Sequence, residues 1–166
     1  DAKHWLLMMD SCIYDDGNHV EGRISEATLK WMEVHLRVAK EHDIQVIVLA
    51  HHNLLQESRL FTTQCEMENG PEVTALLEAY QVPLYISGHL HVQHFKSSES
   101  YGIDEIVTSS LTTPPCQYGI LEYMEDDSFH YRTQAVDMES WARANQSRDE
   151  NLLNFNTYSP PVLKQI

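Results

Sequence analysis

Apolar runs and an amphipathic pattern alternate along the first half of the chain. Residues 5–9 and 44–49 are continuous apolar or β-branched runs, the pattern of strands buried on both faces of a parallel sheet. Between them, residues 26–41 repeat apolar side chains at 3-4-3 spacing, which predicts a helix with one buried face. Ser25 has the side chain of a helix N-cap and marks the predicted start of that helix.

The same alternation continues to a third apolar run and then changes. Pro71 suits the first turn of a second helix, whose apolar side chains recur at helical spacing up to Tyr80. Residues 84–86 form the third run, which predicts another buried strand. Later strand patterns lie at 103–108, 120–124 and 129–136, the last two arranged as a hairpin.

This order of elements predicts an α/β fold. Two successive strand–helix–strand crossovers make the strands parallel neighbours with right-handed connections. Ligands of such sheets bind at the C-terminal ends of the strands, which here precede Asp10, the histidine doublet at 51–52 and the segment 88–91. Neighbouring strands lie about 4.8 Å apart, so we expect the histidines of the last two segments to reach one cleft.

The pattern along the whole chain predicts one domain and a short appendage. Residues 1–136 contain the β-α-β-α-β order followed by antiparallel strands. Residues 137–155 have a helical pattern, and a loose tail begins at 159–161. We therefore predict a domain over 1–136 and a helical extension with a tail over 137–166.

The charge of the chain limits its partners. Lysine and arginine number 11 and aspartate and glutamate 25, for a net charge of −14. Nucleic acids and anionic membranes are repelled by so acidic a surface, so we expect neither as a partner. A phosphate-containing substrate is still compatible, because bound metal ions reverse the local field.

Length, apolar content and cysteine use are typical of a globular protein. The 166 residues are 42% hydrophobic and 22% charged, and no apolar run has the length of a membrane span. Cysteines at 12, 65 and 116 have no metal-ligand spacing, so we expect reduced thiols in a reducing compartment. The chain begins at Asp1 with no signal-peptide pattern, and a cytoplasmic location is the expectation.

Histidine supplies the candidate chemistry, with 10 residues in the chain. At this composition a His-His doublet is expected about 0.6 times by chance and Gly-His-x-His about 0.02 times, so only the second is specific. His89 and His91 could bind one ion, or one ion each of a pair about 3.5–4 Å apart. Imidazole binds Zn, Fe, Mn, Ni and Cu alike, and an ordinary polar loop is the alternative interpretation.

Two segments carry a resemblance to a known family. Residues 47–53 (IVLAHHN) and 86–91 (ISGHLH) resemble the last two metal motifs of the calcineurin-like metallophosphoesterases. Three earlier segments are similar to the same family, namely 6–11, 22–24 and 29–36. The resemblance covers about residues 5–124 and is closest to the cyclic-nucleotide phosphodiesterase and purple-acid-phosphatase-like branches. It implies the C-terminal half of an αββα sandwich.

The resemblance also implies a reaction and a ligand set. The family hydrolyses phosphoesters with two divalent or trivalent metal ions, here expected to be Mn, Fe or Zn, and a bridging hydroxide. Carried over, His51 and His89 bind one ion and His91 binds its partner. His52 and Asn53 are then substrate-side candidates, although His52 remains an alternative to His51 as the ligand. The implied substrate is a small phosphoester or nucleotide, with a phosphodiester preferred.

The family's earlier motifs do not occur in this chain. Asp-x-His and Gly-Asp-x-x-Asp, which supply the bridging carboxylate, are absent, and no catalytic residue can be assigned. Residues 17–19 spell Gly-Asn-His, but Val20 replaces the acid that should follow, and the segment lies on the wrong side of the first strand. We interpret it as a chance match. Asp10 is interpreted as loop support, as in the family.

The absence of the family's earlier motifs leaves three hypotheses for the function of the chain. With the N-terminal half of the domain missing, we expect residues 1–166 to be catalytically incomplete and to leave a strand edge or apolar face exposed. A non-catalytic scaffold with a phosphoesterase-like fold is the second hypothesis. A histidine-rich metal-binding module without turnover is the third.

Overall fold

The fold is given by a computed structural model that describes residues 3–17, 19–56, 67–98, 100–126 and 128–157. Asn18 of the Gly-Asn-His segment, Cys65 and the predicted tail at 159–161 lie outside these ranges. Cys12 is an exposed free thiol.

Strands and helices alternate as the sequence predicted. The strands are β1 (His4–Met8), β2 (Gln45–Leu49), β3 (Leu84–Ser87), β4 (His94–Ser98), β5 (Ile103–Val107), β6 (Gln117–Tyr123) and β7 (Phe129–Ala135). The helices are α1 (Glu26–Glu41), α2 (Gly70–Ala79), α3 (Met138–Ala144) and α4 (Glu150–Leu153). This mixed α/β architecture confirms the predicted fold class.

The chain divides into two compact units, residues 1–107 and 108–166. The first contains a sheet in the order β1-β2-β3-β5-β4, in which β4 alone is antiparallel to its neighbour. The second contains the antiparallel β6–β7 hairpin and both short helices. The division at 136 predicted from the sequence stays a prediction.

The core of the first unit forms where α1 packs against the sheet. Ser25 caps α1 by accepting a hydrogen bond from the Thr28 backbone N–H. The predicted apolar face of α1 is buried, and it joins Leu7 of β1 and Val48 of β2 in one cluster. Its members on α1 are Leu29, Met32, Leu36 and Ala39.

The opposite side of β1 is exposed, as predicted. β1 is an edge strand of the described sheet, and Leu6 and Met8 are 62% and 75% accessible. None of the helices in the described part of the chain has the length and apolar character of a transmembrane segment.

The structure differs from the sequence-based prediction in two elements. β4 was not predicted, because its residues HFKSS lack both an apolar run and a regular alternation. The helical pattern at 137–155 is divided into α3 and α4. Gln146 has a left-handed backbone with φ of 53°, and Asp149 begins a new helix by accepting a hydrogen bond from the Asn151 N–H.

Candidate metal centre

The C-terminal ends of β2 and β3 bring two predicted ligands together. Leu49 pairs with Ile86 in the last register position of the two strands. Beyond it, Ala50 N–H donates to the Ile86 carbonyl at 3.1 Å and Gly88 N–H donates to the His51 carbonyl at 3.0 Å. Because the two main chains stay hydrogen-bonded past the strands, His51 and His89 leave the sheet side by side.

The resulting imidazoles are spaced as two ligands of one ion. His51 Nε2 and His89 Nδ1 lie 3.1 Å apart and share a hydrogen bond. Metal–nitrogen bonds of about 2.0–2.1 Å place two ligand nitrogens about 2.9–3.4 Å apart for bond angles between about 90° and 110°. His52 completes a group of three histidines whose ligand atoms all lie within 4.8 Å of one another. The donor set therefore fits a transition metal.

His91 lies outside this three-histidine group but is electrostatically coupled to it. The pKa of His51 is lowered first by partial burial, then by the charges of His89 and His91. A lowered pKa favours the neutral imidazole, which is the form that binds metals. The assignment of His91 to a second ion stays a prediction.

Both histidines of Gly-His-x-His have a left-handed backbone, with φ of 60° at His89 and 56° at His91. Four other described residues besides glycine share this conformation, and one of them, Cys116 with φ of 49°, closes a turn in which its N–H donates to the Thr113 carbonyl at 2.8 Å. Asp43, Gln81 and Gln146 also have positive φ, and each directly follows the C-cap of a helix. No helix ends at 89 or 91. Backbone in this sparsely populated region away from helix ends is typical of functional sites.

His52 differs sharply from its neighbour His51. It is buried, with 5% of its surface accessible, whereas His51 is exposed. Its Nε2–H donates to the Val20 carbonyl at 3.1 Å, and its Nδ1 accepts from the Ser11 hydroxyl at 2.8 Å. The Ser11 oxygen in turn accepts the His52 backbone N–H at 3.3 Å. Both ring nitrogens of His52 are thus engaged within the protein.

Gly22 fixes the place of the His52 ring. A Cβ atom at residue 22 would lie 2.2 Å from His52 Cγ and 2.3 Å from its Nδ1. The backbone of Gly22 therefore lies directly against the imidazole, where no side chain fits. Burial, followed by the charges of His89 and His51, lowers the pKa of His52 and keeps the ring neutral.

Asn53, predicted on the substrate side, is fully buried. Its Nδ2 donates to the Ser87 hydroxyl at 2.8 Å. Its Oδ1 has no hydrogen-bond partner among the described residues. The structure thus places Asn53 beneath the histidines, between the ends of β2 and β3.

Glu105 is the residue that the sequence reasoning missed. It is a fully buried carboxylate on β5, and the Ser87 hydroxyl donates to its Oε1 at 2.5 Å. The backbone N–H groups of Leu54 and Leu55 donate to it at 3.1 Å and 2.6 Å. The segment 103–107 has the sequence IDEIV, and a pair of acidic residues, Asp104 and Glu105, between apolar strand residues is the signal that could have found it.

The remaining acidic and histidine candidates serve local structure. Asp10 accepts hydrogen bonds from the Cys12 N–H at 3.0 Å and the Tyr14 hydroxyl at 2.8 Å, which together lower its pKa. This is the loop support that was predicted. His19 pairs with Asp15 at 2.6 Å, four residues away. Within the described ranges, no carboxylate joins the histidine group.

Comparison with known proteins identifies the fold. No family model and no curated protein sequence matches the chain significantly. A dimetal phosphatase from Danio rerio matches with a TM-score of 0.58 at 21% identity, over 69% of this chain and 36% of that protein. The chain therefore spans about a third of the length of this neighbour. The predicted resemblance to the metallophosphoesterases is confirmed at the level of a partial fold.

Two further structures match more weakly. GAP50, the anchor in the inner membrane complex of Plasmodium, has a TM-score of 0.44 at 20% identity, over 53% of this chain and 26% of its own. A Staphylococcus aureus structure described as a 5'-nucleotidase has a TM-score of 0.38 at 20% identity, over 68% and 22%. At these scores the similarities do not define a shared fold.

Proposed function

We propose that the chain is the C-terminal half of a metal-dependent phosphoester hydrolase. The observation that carries the proposal is the 3.1 Å separation of His51 Nε2 and His89 Nδ1 at the C-terminal ends of two neighbouring parallel strands. The partial fold shared with a dimetal phosphatase supports it. In the proposed arrangement, His51 and His89 hold one ion and His91 contributes to a second.

The hydrogen bonds of His52 support the choice of His51 as the ligand. To bind a metal, His52 would have to give up its bond to Val20 or to Ser11 and leave a buried polar group without a partner. Such a loss costs about 1–3 kcal/mol. His51 is exposed, and its Nε2 already faces His89. We therefore assign His52 to holding the site together.

The charge of the chain explains why metal is needed for a phosphate substrate. The net charge of −14 repels an anionic substrate, and the neutral imidazoles of the cluster offer no compensating charge. Bound divalent ions would supply positive charge, polarise phosphoryl oxygens and activate a water nucleophile. The residues of this chain contribute ligands held at fixed spacing by β2 and β3. Bridging carboxylates must come from outside the described cluster.

The finer assignment is a phosphodiesterase with a two-metal centre. The segments around His51 and His89 resemble those of cyclic-nucleotide phosphodiesterases, and a small phosphodiester or nucleotide is the proposed substrate. Mn, Fe or Zn suit the imidazole ligands. A cytoplasmic location and the absence of nucleic-acid and membrane partners belong to the same proposal.

Hydrolysis of bis-para-nitrophenyl phosphate tests the proposal. The full-length protein is assayed with Mn²⁺, with chelator, and with Mn²⁺ restored, and residues 1–166 are assayed in parallel. We expect turnover that chelator abolishes and Mn²⁺ restores, and no turnover by residues 1–166 alone. Equal rates with and without metal would reject the metal mechanism. Tight metal binding without hydrolysis of any phosphoester would favour the scaffold hypothesis.

A further inference from the structure

Three hydrogen-bonded polar side chains connect the middle of β5 with the C-terminal ends of β2 and β3. Asn53 follows β2, Ser87 ends β3, and Glu105 lies on β5. Asn53 Nδ2 donates to Ser87 Oγ at 2.8 Å, and Ser87 Oγ donates to Glu105 Oε1 at 2.5 Å. All three residues are buried, with accessibilities of 0%, 3% and 0%.

Four groups donate hydrogen bonds to the Glu105 carboxylate. Besides Ser87, the carboxylate accepts from the backbone N–H groups of Leu54 and Leu55 and, at 3.4 Å, from Asn53 Nδ2. An ionised carboxylate accepts hydrogen bonds at both oxygens and donates none, whereas a protonated one carries an O–H donor. A charge this deeply buried is stabilised only when several donors surround it. Glu105 therefore fixes the turn that follows His51 and His52.

The same carboxylate acts on both histidine-bearing turns. Asn53 lies two residues after His51, and Ser87 lies two residues before His89. A second hydrogen bond joins β3 to the turn after His51. The buried Tyr85 hydroxyl donates to the His52 carbonyl at 2.9 Å. The negative charge of Glu105 adds to burial in raising the pKa of Tyr85, which keeps that hydroxyl a donor.

We propose that Glu105 is a positioning residue of the candidate metal centre, which holds the turns of His51 and His89 at the separation that one metal ion requires. This inference rests on the proposed function for its metal readout. The geometric part, the contact between the two rings, is independent of any metal. Hydrogen-bonded groups behind the ligands of metal sites commonly change metal affinity by about 10–100-fold when they are removed.

The test compares three variants of the full chain. Glu105→Gln keeps the size of the side chain but turns an NH₂ group toward hydrogen-bond donors. Ser87→Ala removes the hydroxyl that joins Asn53 to Glu105. Ile103→Val is the matched control, because it shortens a buried apolar side chain on the same strand without touching the polar connection.

Two measurements are made on each variant. The first, on metal-free protein, is the nuclear Overhauser contact between the His51 and His89 rings, together with hydrogen-exchange protection of the Leu54 and Leu55 amides. The second is Zn²⁺ affinity by calorimetry. In Glu105→Gln we expect the ring contact and amide protection to be lost and Zn²⁺ to bind about 10-fold or more weakly. Ser87→Ala should bind about 2- to 10-fold more weakly, and Ile103→Val should match the wild type.

The outcomes separate the two hypotheses. If the wild-type protein binds no Zn²⁺, the proposed function fails, and the ring contact still decides the role of Glu105. A folded Glu105→Gln variant with the wild-type ring contact and Zn²⁺ affinity would overturn the inference. If Glu105→Gln does not fold, Ser87→Ala decides, and wild-type behaviour in that variant would overturn it. An equal loss of affinity in Ile103→Val would reduce Glu105 to a general stabiliser of the fold and overturn the inference as well.

Discussion

Two segments of this chain, residues 17–19 and 88–91, each contain a glycine closely followed by a histidine. They differ in the contacts that their histidines make. The segment at 88–91 follows a buried parallel strand, and His89 contacts His51 from 38 residues away. His19 of the Gly-Asn-His segment pairs with Asp15, only four residues away. A histidine satisfied by a neighbour in its own loop needs no further partner. A histidine brought to a distant histidine by the sheet forms the start of a ligand set.

The two segments also differ in how strongly their contacts stabilise the fold. His19 and Asp15 are solvent-accessible, and screening by water leaves an exposed pair of this kind with little effect on stability. The segment at 88–91 is held by the hydrogen bond from Gly88 N–H to the His51 carbonyl and by the buried Ser87 at its start. Changes around the sheet-held segment should therefore have large effects, and changes around the loop segment small ones.

The largest effect is expected for His89→Ala. This variant removes one of two nitrogens set 3.1 Å apart, and a site that loses a ligand loses its geometry as well. We expect Zn²⁺ affinity and phosphodiesterase rate in the full-length protein to fall more than about 100-fold. Calorimetry and the chelator-controlled assay measure the two quantities. A rate within about 3-fold of wild type would contradict the assignment of His89 as a metal ligand.

Gly22→Ala should have the next largest effect, on stability. The added Cβ would lie 2.2 Å from Cγ of the buried His52 ring, so the ring or the backbone must move. Overpacking of this kind lowers the free energy of unfolding by about 1–3 kcal/mol. Gly119→Ala is the control, because there the new Cβ meets the far end of the half-buried Tyr131 side chain, with Cε2 at 2.6 Å and Cζ at 2.8 Å, and this end can turn aside more easily than the base of a buried ring. Urea unfolding should show no loss beyond about 0.5 kcal/mol in the control.

Ser11→Ala tests the hydrogen bonds that occupy His52. The variant leaves His52 Nδ1 without its donor and the His52 N–H without its acceptor in a buried environment. We expect the free energy of unfolding to decrease by about 1–3 kcal/mol. Ser109→Ala, which removes a half-buried hydroxyl that donates to the Gln117 carbonyl, serves as the control. Equal losses of unfolding free energy in both variants would show that the hydrogen bonds of His52 stabilise the fold no more than an ordinary half-buried one.

The smallest effect is expected for His19→Ala. Its contact with Asp15 is local and exposed, so the free energy of unfolding should stay close to that of the wild type. Zn²⁺ affinity and phosphodiesterase rate should equal those of the wild type. A loss of affinity comparable to that of His89→Ala would place His19 in the metal centre and remove the contrast between the two segments.

Local patterns predicted the elements that carry the site, but not everything beneath it. Apolar runs and helical spacing located α1, β2 and β3, because these elements bury one face or both. β4 was missed since an edge strand needs no apolar run, and its sequence HFKSS has none. The crossover rule predicted that His51, His89 and His91 converge; the contact of His51 with His89 is observed, whereas His91 lies outside the three-histidine group.

The distinction between His51 and His52 could not be read from the doublet alone. Which of two adjacent imidazoles is buried depends on Ser11 and Val20, residues 41 and 32 positions away. Glu105 was missed for the same reason, because a single glutamate in a strand acquires its role only from donors some 50 residues distant. Long-range hydrogen bonds of this kind leave no periodic signal in the sequence.

The central claim is that His51 and His89, and not His52, bind the metal. Imidazole ¹⁵N shifts of the full-length protein, followed during titration with Zn²⁺, test it most directly because all three rings are observed at once. We expect metal-induced shifts at His51 Nε2 and His89 Nδ1, while His52 keeps its proton on Nε2. A metal-induced shift at a nitrogen of His52, with His51 unchanged, would contradict it.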